Sequence, residues 1–206
     1  AVQMHLPLNL QRASIDIDFI MNLTQEQFED ILDSVTHDDK YGYKIHRPKN
    51  PQENIPLKTY FFKTPSILES TRENNEIKID ALYEECNLPL CVLTDVETFA
   101  LTLKKIKTYK KTTLIGDKLL TLGENSVGVI DQSSYPKQVY DVYNLLTSIN
   151  LDKDALKEII QTVDVLSEKE IKYREYQGNI ISVLEDIIVC LKTHSQIDTS
   201  KYTGKM

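Results

Sequence analysis

A mixed fold of strands and helices is predicted by three observations. Apolar residues recur at every second position in 14–21 and 76–82, the period of β-strands, and 57–63 also reads as a strand. Thr24-Gln25-Glu26-Gln27 carries a capping-box pattern ahead of Phe28, Ile31, Leu32 and Val35 at helical spacing. From about residue 95 onward the apolar residues recur with the helical period instead. A sheet with interspersed helices, α/β or α+β, is therefore expected over 1–95, and a helical half over 96–206.

Taken in order, residues 1–10 read as the end of a helix stopped near Pro7. The strand 14–21 and the helix opened by Thr24 follow. The turn-rich segment 36–56, with Pro48, Pro51 and Pro56, frames a short strand around 43–46. Strands over 57–63 and 76–82 are joined by the polar stretch 69–75. The segment 96–106 fits helix and strand equally. Thr112 or Thr113 is placed to cap a helix carrying Leu114, Ile115, Leu119 and Leu122 and ending near Gly123. Further helices are expected over 136–148, 152–176 and 179–194, with a frayed tail after His194.

Bulk properties narrow the class. With 41% hydrophobic and 27% charged residues, the 206-residue chain has the composition of a soluble globular protein. A formal charge of −7 argues against general polyanion binding, so a nucleic-acid partner would need a local basic patch. Cys86, Cys91 and Cys190 make no disulfide framework and fit a reducing cytoplasm; no zinc-ligand spacing is present. The most apolar late stretch, 180–191, is broken by Glu185 and Asp186, so no membrane span is expected. The chain opens at Ala1 without an initiator methionine and reads as cut from something longer.

Candidate chemistry centres on Asp16 and Asp18. Side chains two apart on a strand share a face, so these carboxylates project together. Like charges so placed destabilise each other unless a cation or strong donors compensate. Asp80, in Ile77-Lys78-Ile79-Asp80, offers a third oxygen ligand from another strand. Three carboxylates suit Mg²⁺, which completes its shell with water and substrate phosphates. An isolated Asp-x-Asp is more often an acidic edge strand, and Lys78 and Asp80 also read as solvated positions with Ile77 and Ile79 facing the core. Lys118 sharpens the case. It falls at i+4 from Leu114, i+3 from Ile115 and i−4 from Leu122, which puts an ammonium on an apolar face, either snorkelling or aimed at phosphate. Asp141, beside the apolar stripe of the next helix, reads by itself as a surface acid. Lys104, Lys105, Lys107, Lys110 and Lys111 put five cations within eight residues around Tyr109, a solvated run or a landing strip for RNA. Six scattered glycines form no phosphate loop, and four histidines show no metal spacing.

The motifs together resemble the AbiEii/AbiGii toxin-like nucleotidyltransferases of the DNA polymerase β-like superfamily. Arg12-Ala13-Ser14-Ile15-Asp16-Ile17-Asp18-Phe19 resembles the family's Arg-x-Ser-x-Asp-Ile-Asp-Phe signature, and Ile77-Lys78-Ile79-Asp80 the strand with the third acid. Asp117-Lys118-Leu119-Leu120-Thr121-Leu122 and Tyr140-Asp141-Val142-Tyr143-Asn144-Leu145-Leu146 resemble its two later helices, so the likeness runs from residue 1 to about 147. Two departures stand out. The family's Gly-Gly or Gly-Ser turn, ahead of the helix leading to Arg12, would fall where this chain begins. Lys137-Gln138-Val139 replaces the acid that often precedes Tyr-Asp.

The resemblance implies an α+β fold, a nucleotidyltransferase-like mixed sheet with flanking helices over 1–95 and a helical domain over 96–206. It implies transfer of NMP from an NTP to an acceptor, RNA such as a tRNA end, by a cytoplasmic toxin paired with a cognate antitoxin. Asp16, Asp18 and Asp80 would hold Mg²⁺ or Mn²⁺, with Asp80 helping to activate the acceptor hydroxyl. Arg12, Ser14 and Lys118 would contact phosphates, and Asp141 would support Lys118. A nucleotide-binding or partner-binding pseudoenzyme, and a structural module with merely acidic surface, are the alternative classes.

Overall fold

The computed structural model describes residues 1–12, 16–36, 42–45, 55–63, 76–98, 102–129 and 132–195. Contacts gather the chain into two compact units: Arg12–Asn87 together with Ala1, and Val2–Gln11 together with Leu88–Met206.

The first unit holds strands β1 (Asp16–Met21), β2 (Gly42–Ile45), β3 (Leu57–Lys63) and β4 (Glu76–Tyr83), with helix α1 (Gln25–Val35) following β1. The sheet order is β1-β4-β3-β2; β1 runs parallel to β4, and the other neighbours are antiparallel. Alternation assigns one face of β4 to Ile77, Ile79, Ala81 and Tyr83, and α1 packs Phe28 and Leu32 into the same cluster with Tyr60. The Phe28 ring lies 5.5 Å from that of Tyr60 and 6.0 Å from that of Phe19, both within the range of favourable aromatic pairs. The Tyr60 hydroxyl, carried into this core, is satisfied by Glu29 Oε1 at 3.0 Å and the Tyr83 hydroxyl at 2.7 Å.

The capping box is present as the sequence predicts. Thr24 Oγ1 accepts from the Gln27 amide at 3.2 Å, and Gln27 Oε1 accepts from the Thr24 amide at 2.9 Å. Ile31 and Val35, expected inward with Phe28 and Leu32, are instead 47% and 59% exposed. The buried stripe is narrow: Ile31 lies about 100° round from Leu32, and Val35 is the last helical residue.

The second unit corrects two expectations and resolves a third. Residues 2–10 form two 3₁₀ turns, Val2–His5 and Leu8–Leu10, on either side of Pro7, rather than a helix end. The segment 96–106, readable either way, is extended: β5 (Leu90–Glu97) and β6 (Thr102–Tyr109) pair antiparallel, so strands continue well past residue 95 before the helices begin. Helix α2 (Lys111–Leu120) is not capped by either threonine. Thr113 Oγ1 donates to the Pro89 carbonyl at 3.1 Å, and Thr112 Oγ1 to Glu158 Oε2 at 2.7 Å, so both hydroxyls tie α2 to neighbouring segments. Helices α3 (Tyr135–Thr147), α4 (Lys153–Tyr173) and α5 (Ile180–Ser195) follow close to their predicted places. Leu114, Ile115, Leu122, Leu145, Val163 and Val183 anchor the shared core, which Val2 and Leu6 join from the N-terminal turns.

Candidate active site

The sheet face of the first unit turned away from α1 carries the candidate chemistry. In the register, Asp18 stands beside Asp80 and Asp16 beside Lys78 across the β1–β4 pair. Thr59 then stands beside Asp80, and Phe61 beside Lys78, across the β4–β3 pair. Directly paired residues share a face, with strands about 4.8 Å apart and successive same-face positions about 6.7 Å apart. The backbone thus places three carboxylates in two adjacent rows of one face. Lys44 extends the row holding Asp16 and Lys78 to the far strand; it pairs with Glu76 at 2.8 Å and lies over the Phe61 ring at 5.4 Å.

Asp80 is held at both of its oxygens. Its Oδ1 accepts from Thr59 Oγ1 at 2.6 Å, on the side away from β1, and its Oδ2 accepts from Lys78 Nζ at 2.5 Å. Burial opposes the charge of Lys78, but the hydrogen bond to Asp80 and the fields of Asp80, Asp16 and Asp18 outweigh it, so its pKa is raised above the ordinary lysine value. Asp16 is half-buried and Asp18 exposed.

Three carboxylates on one face form the hard oxygen donor set that a magnesium-type cation takes, so residue types and register fit such an ion. Their side chains do not stand around a common point: among the described residues, no three acidic, histidine or cysteine side chains are gathered closely enough to hold a metal. Both Asp80 oxygens are engaged, one by Thr59 and one by Lys78. Arg12 is half-buried at the start of the unit. Ser14 lies outside the described residues.

The other predicted residues belong to the second unit. Lys118 is half-buried on α2, beside the buried Leu114 and Ile115. Asp141 on α3 is fully buried, at 0% exposure, where the sequence by itself suggested a surface acid. Its neighbour Tyr140 donates to the Leu10 carbonyl at 3.2 Å, fastening α3 to the N-terminal turns. The lysine run divides. Lys105 and Lys107 are exposed on one face of the β5–β6 hairpin beside Thr94 and Val92. Lys104 points from the other face toward Asp95 at 3.8 Å, Lys110 reaches Glu158 at 3.5 Å, and Lys111 is half-buried.

Two site residues were not singled out from the sequence. Lys78 was legible only as an alternating polar position, and Thr59 becomes visible only once the β3–β4 register is known.

A comparison with protein families decides the identity. The model of the nucleotidyl transferase AbiEii toxin, type IV toxin–antitoxin system, matches residues 4–187. The chain belongs to the AbiEii family. No curated protein matches it. Membership makes this AbiEii chain a nucleotidyltransferase toxin of the type IV toxin–antitoxin class, a class in which toxins are partnered by antitoxins. The mixed sheet with its helices accords with a nucleotidyltransferase-like fold. Among the described residues no helix is long and apolar enough to cross a membrane.

Proposed function

We propose that this AbiEii chain transfers NMP from an NTP to an RNA acceptor, a tRNA end, in the cytoplasm. The acceptor hydroxyl oxygen forms a bond to the α-phosphorus, the bond from that phosphorus to the β-phosphate bridge breaks, and pyrophosphate leaves. One observation carries the reading beyond family membership: Asp18 and Asp80 stand in register on adjacent strands with Asp16 on the same face. In this reading Asp16, Asp18 and Asp80 hold Mg²⁺ or Mn²⁺, which when bound would neutralise the triphosphate and polarise the reacting phosphorus. Asp80 orients the acceptor hydroxyl and takes its proton. Arg12, Ser14 and Lys118 supply positive charge or hydrogen bonds to phosphate oxygens. Asp141, buried as it is, acts by keeping α3 and the groups around Lys118 in place, a positioning role.

A second reading, a nucleotide-binding pseudoenzyme, is favoured by the engagement of both Asp80 oxygens. Label transfer separates the two. The protein is incubated with each α-labelled NTP, Mg²⁺ and total tRNA; label should move to RNA from one NTP, and not with Asp80→Ala. NTP bound without transfer to RNA, protein or small molecules would favour the pseudoenzyme.

The hairpin supplies a separate check on the RNA acceptor. Lys105 and Lys107 are the exposed pair on one face, whereas Lys104 and Lys110 already face carboxylates. Lys105→Gln with Lys107→Gln should weaken tRNA binding on the order of tenfold at low salt and reduce the salt dependence by about one to two phosphate contacts. Lys104→Gln with Lys110→Gln should change it little. Equal losses in the two pairs would mean that net charge alone matters.

A further inference from the structure

Lys78 has no assigned part in the transfer chemistry, yet its ammonium is bonded to one candidate ligand and lies in the field of all three. It stands across from Asp16 in the register, two residues before Asp80 on the same strand, with its ammonium 2.5 Å from Asp80 Oδ2. Its side chain is 40% exposed and that of Asp80 20% exposed, so the pair is held in a partly dry setting. The second Asp80 oxygen is occupied by the Thr59 hydroxyl at 2.6 Å.

These contacts answer a physical problem. Three carboxylates in two adjacent rows repel one another, and the folded unit needs a cation among them. Lys78 is supplied by the chain itself, at a backbone position fixed by the strand that also carries Asp80. A divalent cation bound by the same acids would come within a few ångströms of the ammonium, and two cations so close repel strongly where solvent screening is poor. We propose that Lys78 is an internal counter-cation of the acid cluster, and that a divalent metal must displace it from Asp80 in order to bind. The inference rests on the reading of Asp16, Asp18 and Asp80 as metal ligands and adds a competitor that sets their affinity. It also gives a cause for the way Asp80 is turned. The carboxylate is held toward β3 and its own strand by Thr59 and Lys78, and both contacts must yield before it can join Asp16 and Asp18 around one ion.

The competing description is a lysine whose tip is merely solvated and whose stem covers the sheet. Binding of Mn²⁺ alone, without nucleotide, tells the two apart. It is followed by loss of the free-ion electron paramagnetic resonance signal for the unaltered protein, Lys78→Met, Lys78→Gln and Lys78→Arg, with melting temperatures recorded with and without the ion. Removal of the ammonium should tighten Mn²⁺ binding about five- to tenfold in Lys78→Met and Lys78→Gln. Without metal both variants should melt below the unaltered protein, and Mn²⁺ should raise their melting temperatures by more. Lys78→Arg, which keeps the charge, should bind Mn²⁺ within about twofold of the unaltered protein. The pair of neutral variants guards against one of them failing to fold. Binding by the neutral variants that is equal to or weaker than that of the unaltered protein overturns the role of Lys78 and leaves the metal reading standing. Absence of Mn²⁺ binding in every form overturns the metal reading itself, and the proposal with it.

Discussion

Asp18→Asn is expected to reduce nucleotidyl transfer about 10³-fold, equivalent to ~4 kcal/mol of transition-state stabilisation, while raising the melting temperature. The two effects have the same origin. Asp18 is exposed and stands directly across from Asp80 on a parallel neighbour, and like charges facing each other across strands cost roughly 0.2–1 kcal/mol. Amide replacement removes that repulsion and leaves the contacts of Asp80 with Lys78 and Thr59 intact. In the proposed reading it also removes a ligand charge that the transfer chemistry requires. Asp80→Ala should lose as much activity but lower the melting temperature, because the Lys78 ammonium and the Thr59 hydroxyl both lose their acceptor. Opposite shifts in stability with a shared loss of activity would identify a functional acid cluster whose repulsion is tolerated for its chemistry. Retention of transfer by Asp18→Asn would reduce the acids to surface charge and end the transferase reading of this face.

What could be read from the sequence follows what local pattern can encode. β4 was legible because one face of it is covered, with Ile79 and Ala81 buried, so the apolar period survives in the sequence. β1 keeps the same period although Ile17 and Phe19 are 40% and 42% exposed, Phe19 meeting the Phe28 ring. The capping box at Thr24 is wholly local and was read correctly. Strand order is not local. Nothing in the order of residues says that β1 pairs with β4 rather than with β2, and on that pairing depends the meeting of Asp18 with Asp80. The β5–β6 hairpin was obscured because Lys104, Lys105 and Lys107 interrupt the alternation of β6, whose extended form is sustained by cross-strand pairing with β5. Thr112 and Thr113 were misread as caps because their partners, Glu158 and Pro89, lie 46 and 24 residues away. Asp141 was misread for a related reason. A carboxylate beside an apolar stripe belongs to solvent by default, and only tertiary packing reveals that it is buried.

Gly116 carries the second large expectation, one in which local propensity and packing predict opposite signs. A glycine in the middle of α2 normally weakens the helix, and alanine there would be worth about 0.5–1 kcal/mol. A Cβ at this position would however lie 2.8 Å from both Cβ and Cγ2 of Thr162 and 3.1 Å from the Ile159 carbonyl oxygen. Neither neighbour can easily give way. Thr162 is 2% exposed, branched at Cβ, and anchored by its hydroxyl to the Glu158 carbonyl at 2.9 Å; the Ile159 oxygen is α4 backbone. The two helices must separate, and overpacking of this kind costs about 1–3 kcal/mol or more. Packing therefore wins. Gly116→Ala should be destabilising in spite of its helix propensity, and Gly116→Val should lower the melting temperature by roughly 5–10 °C. Thr162→Ala should recover part of the loss in Gly116→Ala, because removing Cγ2 relieves one of the two side-chain contacts, and a double-mutant cycle would read that coupling directly. A more stable Gly116→Ala would mean that α2 and α4 are not held this closely. In the proposed reading, where Lys118 contacts phosphate, the consequence reaches the chemistry through sequence adjacency: Asp117 and Lys118 follow on the same helix, so a helix forced off α4 moves the Lys118 ammonium with it. Misplacement of a charged group by about 1 Å can cost on the order of 10²-fold in rate. Gly116→Ala should accordingly lose more transfer activity than folded protein when both are measured at a temperature where the variant remains native.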